Sequence, residues 1–282
     1  MTQEPLQVQK TIDEIQAMYN SMMGDQIAFS CLLMGVFGSG KTLTACTGRL
    51  PILIDMFDPK GSIVLHADPH LKELVKQKKI IVRPFWKEDS QKPSEYSRWE
   101  KQWKSDCESG FLSLFGTYIL DSGTTWIEAL ANYISKTKGG KRNYDLGGKN
   151  ITGNLEIQDY IPMYNMIMDM VKLTSSHGCD FIYTAHLLTI EDEVTGSITA
   201  VLDTYKKLRS KLPKLFSEKY VIAKTPAPGG AKHELLLHST GKYEASSQLM
   251  ASGKLDAKEE PNIKKLLEKA GLPTADKPIS WA

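Results

Sequence analysis

Apolar residues along this chain follow two alternating patterns. Short, nearly continuous apolar runs read as buried strands, and between them apolar residues recur every three or four positions, as one face of a helix requires. Phe29-Ser30-Cys31-Leu32-Leu33-Met34 is the first run, and 51–58 the second, with Pro51 at the first strand position, where proline is tolerated. Further strands are predicted at 79–83, 115–121 and 180–186, and two more at 219–224 and 233–239. Helices are predicted at 4–23 (Leu6, Ile12, Ile15, Met18 and Met22), at 42–50 up to Pro51, and at 68–79, 93–109, 124–135, 158–176 and 260–270. Apolar strands alternating with helices predict an α/β chain whose mainly parallel central sheet is flanked by helices on both faces. The expected organisation is an N-terminal helical extension at 1–27, a core at 28–245 and a C-terminal helical tail at 246–282, without internal repeats.

Composition changes this picture little. With 282 residues, 41% of them hydrophobic and 24% charged, the chain suits one large domain with short appendages. A net charge of +2 excludes a globally basic surface, so any contact with nucleic acid has to be a local patch. Cys31, Cys46, Cys107 and Cys179 are far apart and form no C-x-x-C pair, which argues against a zinc site or a disulfide framework. They read as reduced thiols of an intracellular protein. No secretory leader pattern is visible, nor an apolar run of the roughly 18 residues a membrane helix needs, so a cytoplasmic location without a membrane partner is expected.

The chemistry is concentrated in Gly35-Val36-Phe37-Gly38-Ser39-Gly40-Lys41-Thr42, a complete G-x-x-x-x-G-K-[ST] phosphate-binding loop followed by Leu43. A triphosphate needs backbone N–H groups turned inward at a helix N-terminus, and glycine allows that curl without a Cβ clash. Lys41 supplies a point charge for the β/γ-phosphates, and the Thr42 hydroxyl a ligand for Mg²⁺. The order of apolar run, glycine loop and short helix is the one such a site requires, so ATP with Mg²⁺ is the expected ligand.

Tyr118-Ile119-Leu120-Asp121 is an apolar run ending in a carboxylate, placed to hold Mg²⁺ beside Thr42; its bland reading is a cap for the next helix. Hydrolysis also needs a carboxylate to orient or deprotonate water. Asp121 is followed by Ser122 rather than Glu, so the candidates are Asp55 and Asp58, at the carboxyl end of the second strand, where parallel sheets bind ligands. Asp58 also reads as a turn aspartate before Pro59 and Gly61, and Asp55 as a buried strand residue. His186 ends the run Phe181-Ile182-Tyr183-Thr184-Ala185, where a polar side chain can register the γ-phosphate; a satisfied structural histidine is the alternative.

On these residues the chain resembles the RecA-like branch of P-loop ATPases, and most of all the short phage-encoded RecA-like ATPases of the Sak annealing group. The resemblance rests on 35–42, 52–58, 118–121 and Thr184-Ala185-His186, with the tail Gly241-Lys-Tyr-Glu-Ala-Ser-Ser and Glu260-Pro-Asn-Ile-Lys-Lys-Leu-Leu, and it spans about 28–270. It implies a RecA-like P-loop fold, an ATPase acting in phage-type recombination or annealing, and location in the cytoplasm of a bacterial host. It also implies self-association into a ring or filament, single-stranded DNA as ligand and a single-strand-binding protein as candidate partner. The acidic residue after the second strand would be catalytic, where glutamate is commoner than the aspartate found here, and His186 would be the γ-phosphate sensor. A Lys or Arg reaching into a neighbour's site is expected as well, with Lys224, Lys232 and Arg209 as candidates.

Residues 136–155 give an independent reason to consider DNA. Lys136, Lys138, Lys141, Arg142 and Lys149 surround Tyr144 in a glycine-rich stretch, a combination suited to a flexible loop gripping a single strand. Lys206, Lys207, Arg209, Lys211 and Lys214 extend the positive charge beyond His186. A solvated face is the plain alternative. Competing readings are a DNA-translocating motor (a helicase or packaging ATPase), a nucleotide-switched scaffold that binds no DNA, and a kinase with 136–155 as lid.

Overall fold

A computed structural model describes residues 9–17, 28–89, 92–137, 144–146, 149–151, 155–193, 196–279 and 281. Helix α1 covers residues 9–17. The core then runs β1 (Ser30–Gly35), α2 (Lys41–Ala45), β2 (Ile52–Met56), α3 (Ile63–Ala67), α4 (Pro69–Lys76), β3 (Ile80–Pro84), α5 (Glu95–Glu108), β4 (Thr117–Asp121) and α6 (Gly123–Thr137). It continues through β5 (Tyr144–Leu146), β6 (Lys149–Ile151), α7 (Ile157–Ser175), β7 (Asp180–Glu191), β8 (Ile198–Leu202) and α8 (Lys206–Lys211). Last come β9 (Glu218–Ala227), β10 (Gly230–Leu236), β11 (Ser246–Ser247), β12 (Lys258–Glu259) and α9 (Ile263–Ala270).

The expected mainly parallel sheet is present, in the order β12-β10-β9-β1-β7-β4-β2-β3. From β9 to β3 every neighbouring pair is parallel, so the carboxyl ends of β1, β7, β4 and β2 share one edge. Side chains along a strand alternate between the two faces. Leu32 and Met34 of β1 join Leu53, Tyr118, Leu120, Phe181 and Tyr183 under α5, α6 and α7, whose Trp99, Trp103, Trp126, Leu130, Ile167 and Val171 complete that core. Cys31 and Leu33 join Ile52, Ile54, Ile119 and Ile182 on the other face, beneath Ala45, Leu65, Leu71 and Leu74 of the early helices and Ile263, Leu266 and Leu267 of α9.

Several segments differ from the sequence-based expectation, among them the short helix α3, which was not expected between β2 and α4. The strand predicted to end at His186 continues to Glu191, and its outer half pairs antiparallel with β8 as a hairpin arm. Within the stretch expected as a loop, 144–146 and 149–151 form a small antiparallel hairpin with Tyr144 opposite Ile151. Residues 246–282, expected as a helical tail, contribute β11 and β12 to the sheet edge beside β9 and β10. There α9 is capped by the Asn262 side chain, which accepts from Lys265 N at 3.0 Å, and its entry is pinned by Ile263 N donating to Thr47 Oγ1 at 2.7 Å. Among the described residues no helix is long and apolar enough to cross a membrane.

Candidate active site

The phosphate loop leaves β1 at Gly35 and enters α2 at Lys41. Gly38 and Gly40 hold φ of 69° and 94°, in the left-handed region that glycine adopts most readily, so the turn favours glycine there. Val36 and Phe37 are exposed, Phe37 at 90%, and Ser39 is buried beneath the loop. Lys41 is almost enclosed. Its amino group donates to Gly35 O at 3.0 Å, to Val36 O at 3.2 Å and towards His186 Nδ1 at 3.2 Å. An ammonium has three protons, and these partners take all of them. Burial lowers the lysine's proton affinity, while Asp121 and Asp58 raise it.

Thr42 faces β4. Its hydroxyl donates to Asp121 Oδ2 at 2.7 Å, and Thr184 Oγ1 on β7 donates to Oδ1 at 2.5 Å. Asp121 is 1% exposed; burial drives its proton affinity up, and the two hydroxyls pull it back. A hydroxyl and a buried carboxylate meeting beside an ammonium are oxygen donors suited to a hard divalent cation. The residues present therefore fit Mg²⁺ with a phosphate chain.

Asp58 lies just past the end of β2, in the segment held against β4 by Phe57 N donating to Asp121 O at 2.6 Å. Its Oδ1 accepts from Ser122 Oγ at 2.7 Å and from Thr125 Oγ1 at 2.5 Å, and its Oδ2 lies 3.2 Å from His186 Nε2. Burial works against ionisation, yet hydrogen bonds from His186, Thr125 and Ser122 outweigh it and bring the carboxyl down to about 2. His186 thus bridges a donor and an acceptor: Nδ1 accepts from Lys41, so Nε2 carries the proton given to Asp58. Its backbone N donates to Thr124 Oγ1 at 3.0 Å, and Phe37 stacks beside the ring, centroids 6.5 Å apart.

These residues line one pocket of about 370 Å³: Phe37, Gly38, Gly40, Lys41, Thr42, Leu43, Asp58, Asp121 and His186, with 59–61 and Ile63-Val64 as the far wall. Comparison with known proteins adds little. No family model and no curated protein matches the chain. Among solved structures, it is similar to a KaiC-like protein of the archaeon Pyrococcus horikoshii OT3, with 11% identity and TM-score 0.41, over 75% of this chain and 79% of that one. It is also similar to the flagellar accessory protein FlaH of Methanocaldococcus jannaschii, with 11% identity and TM-score 0.42, over 82% and 83%. A third is an ATPase from the type III secretion system of pathogenic bacteria, with 14% identity and TM-score 0.40, over 70% and 52%.

Of the two aspartates, the structure brings Asp58 to the pocket and keeps Asp55 from it. Asp55 is fully buried on the α5 face, bound by Arg83 Nε at 2.6 Å, Arg83 Nη2 at 2.8 Å, Trp99 Nε1 at 2.9 Å and Tyr118 OH at 2.8 Å. Its lone pairs are committed to packing, which corrects the expectation of a catalytic role. Lys136 is exposed in the last turn of α6. Tyr144 and Lys149 sit on the small hairpin, while Lys138, Lys141 and Arg142 lie outside the described residues.

Other participants escaped the sequence reading. Ser122 and Thr125 anchor Asp58, and their signal, hydroxyls directly after a strand-end carboxylate, reads equally as helix capping. His233 on β10 places Nδ1 2.7 Å from Ser39 O, across 194 residues of chain, and no local pattern announces it.

Proposed function

We propose that this chain is a RecA-like P-loop ATPase that binds Mg·ATP in the pocket between the phosphate loop and the carboxyl ends of β2, β4 and β7. One observation carries the reading: Lys41, the Thr42–Asp121 pair and the Asp58–His186 pair converge on a single cavity at the parallel-sheet edge. Thr42 and Asp121 would hold Mg²⁺, whose charge helps neutralise the phosphates when bound. Arrival of a triphosphate requires Lys41 to exchange its carbonyl and imidazole partners for phosphate oxygens. That exchange frees His186 Nδ1, so β7 feels the occupant of the pocket. A carboxylate held at about 2 is a poor proton acceptor near neutrality; Asp58 therefore acts mainly by orienting the attacking water.

The finer reading is a DNA-stimulated ATPase of phage-type recombination or annealing, self-associating and binding single-stranded DNA. Supporting it are exposed Lys136 beside the basic stretch, and Lys206, Lys207, Lys211 and Lys214 on and after α8. One observation favours a nucleotide-switched scaffold instead. The β7–β8 arm ends in exposed Glu191, Asp192 and Glu193, charges that repel a phosphate backbone.

Steady-state ATP hydrolysis with and without single-stranded DNA, at two salt concentrations, tests both levels. Hydrolysis abolished by Lys41→Ala supports the ATPase, and stimulation that weakens with salt, as counterion release demands, supports the DNA reading. Hydrolysis indifferent to DNA, with no salt-sensitive DNA binding, removes the recombination role. An activity that persists in Lys41→Ala removes the site itself.

A further inference from the structure

Beyond Met34, the last residue of β1 paired with β9, the β9–β10 hairpin projects past the sheet and runs alongside the phosphate loop. Ile222 O lies 3.3 Å from where a Cβ on Gly35 would stand. From this overhang His233 reaches down, with Nδ1 2.7 Å from Ser39 O and 3.7 Å from the position of a Cβ on Gly40. A carbonyl can only accept, so Nδ1 is the protonated nitrogen.

The bond matters because of what lies on the other side of the same peptide. In a trans peptide the C=O and the following N–H point in opposite directions. Holding Ser39 C=O towards the hairpin turns Gly40 N–H away from it, and Gly40 is one of the residues that line the pocket. Glycine at position 40, with φ of 94°, offers little resistance to a flip of that peptide, so an external restraint decides its direction. The Ser39 side chain supplies none, since its buried Oγ has no hydrogen-bond partner among the described residues.

We infer that His233 is a positioning residue that fixes the Ser39–Gly40 peptide, and thereby aims a backbone N–H at the bound phosphates. The β9–β10 hairpin is then a handle on the nucleotide site, and whatever holds the hairpin also sets the loop's affinity. The inference rests on the nucleotide reading of the pocket, but the restraint on the peptide does not.

The test uses His233→Ala, His233→Asn and His233→Gln in the full chain. An asparagine amide can stand where Nδ1 stands, whereas a glutamine amide reaches the place of Nε2. Calorimetric titration with Mg²⁺ and a non-hydrolysable ATP analogue, steady-state kinetics, melting temperature, and amide hydrogen exchange over 36–42 without nucleotide are the readouts. Expected is a five- to tenfold loss of affinity and rise in KM in His233→Ala, roughly the worth of one hydrogen bond, with kcat changed less. Loop exchange is faster in the same variant, and His233→Asn restores both where His233→Gln does not. Wild-type affinity and exchange in His233→Ala overturn the inference, as do Asn and Gln variants both as impaired as Ala, which would mean that the ring only fills space. Should the wild type bind no nucleotide, the function reading falls while the exchange data still decide the restraint.

Discussion

Asp55 and Asp58 are near neighbours in sequence, yet their removal has opposite consequences. Asp58→Asn keeps the shape of the pocket and its hydroxyl partners while removing the charge proposed to orient water, so turnover is expected to fall about 100-fold or more with nucleotide affinity retained. Asp55→Ala leaves Arg83, Trp99 and Tyr118 without their common acceptor, and costs about 3 kcal/mol or more of stability, the scale of a broken buried ion pair. Parallel assays of hydrolysis and denaturant melting separate the two: lost turnover with intact stability in Asp55→Ala would reverse the assignment. Strand parity already contains the answer. Leu53, Asp55 and Phe57 share one face of β2, and Arg83, the unexpected charge in an otherwise apolar strand, is the register partner of Asp55. The phosphate loop and Asp121 were legible because their spacing is local. Ser122 and Thr125 were not, because hydroxyls after a strand have a common structural use.

At the scale of elements, the strands of the parallel core were legible, because apolar runs there have no competing interpretation, whereas the five-residue α3 is too short to show a helical period. The course of β7 beyond His186 was not. Its outer half depends on pairing with β8, and a pairing partner leaves no mark on the strand's own sequence. The packing of α6 against β7 shows how closely the site depends on element placement. A Cβ added to Gly123 would come 1.8 Å from the Tyr183 ring, a rigid group that cannot yield cheaply. Gly123→Ala is therefore expected to push α6 outward, costing about 1–3 kcal/mol and displacing Ser122, Thr124 and Thr125 together. Hydrolysis and melting temperature should both drop, whereas Gly178→Ala, where an added Cβ meets no atom of the described residues within 4 Å, is expected to change neither. Equal behaviour of the two variants would contradict the packing argument.

For the molecule as a whole, the two cores are not equivalent in sequence. The buried residues of the one under α5, α6 and α7 lie between Leu32 and Ala245, with Trp281 packed on Phe115 at its margin, but the other draws on Leu255, Ile263, Leu266 and Leu267 to close its face. Leu267→Ala is expected to cost about 2–5 kcal/mol, as for a fully buried leucine anywhere in the interior. A cost within experimental scatter, read from denaturant unfolding, would make the segment a detachable tail after all. The sequence suggested only a helical tail at 246–282, because an amphipathic helix looks the same whether its apolar stripe covers a sheet or an unrelated surface.

Trp99 and Trp103 lie stacked, their rings 5.4 Å apart, Trp126 meets Trp99 edge-on at 5.3 Å, and Phe57, the residue before Asp58, touches Trp99 at 6.1 Å. Rings held this close in fixed packing are expected to give the folded chain a near-ultraviolet dichroic signal that disappears when the tertiary packing melts. That signal would report, without an attached dye, on the core in which Trp99 of α5 meets Trp126 of α6.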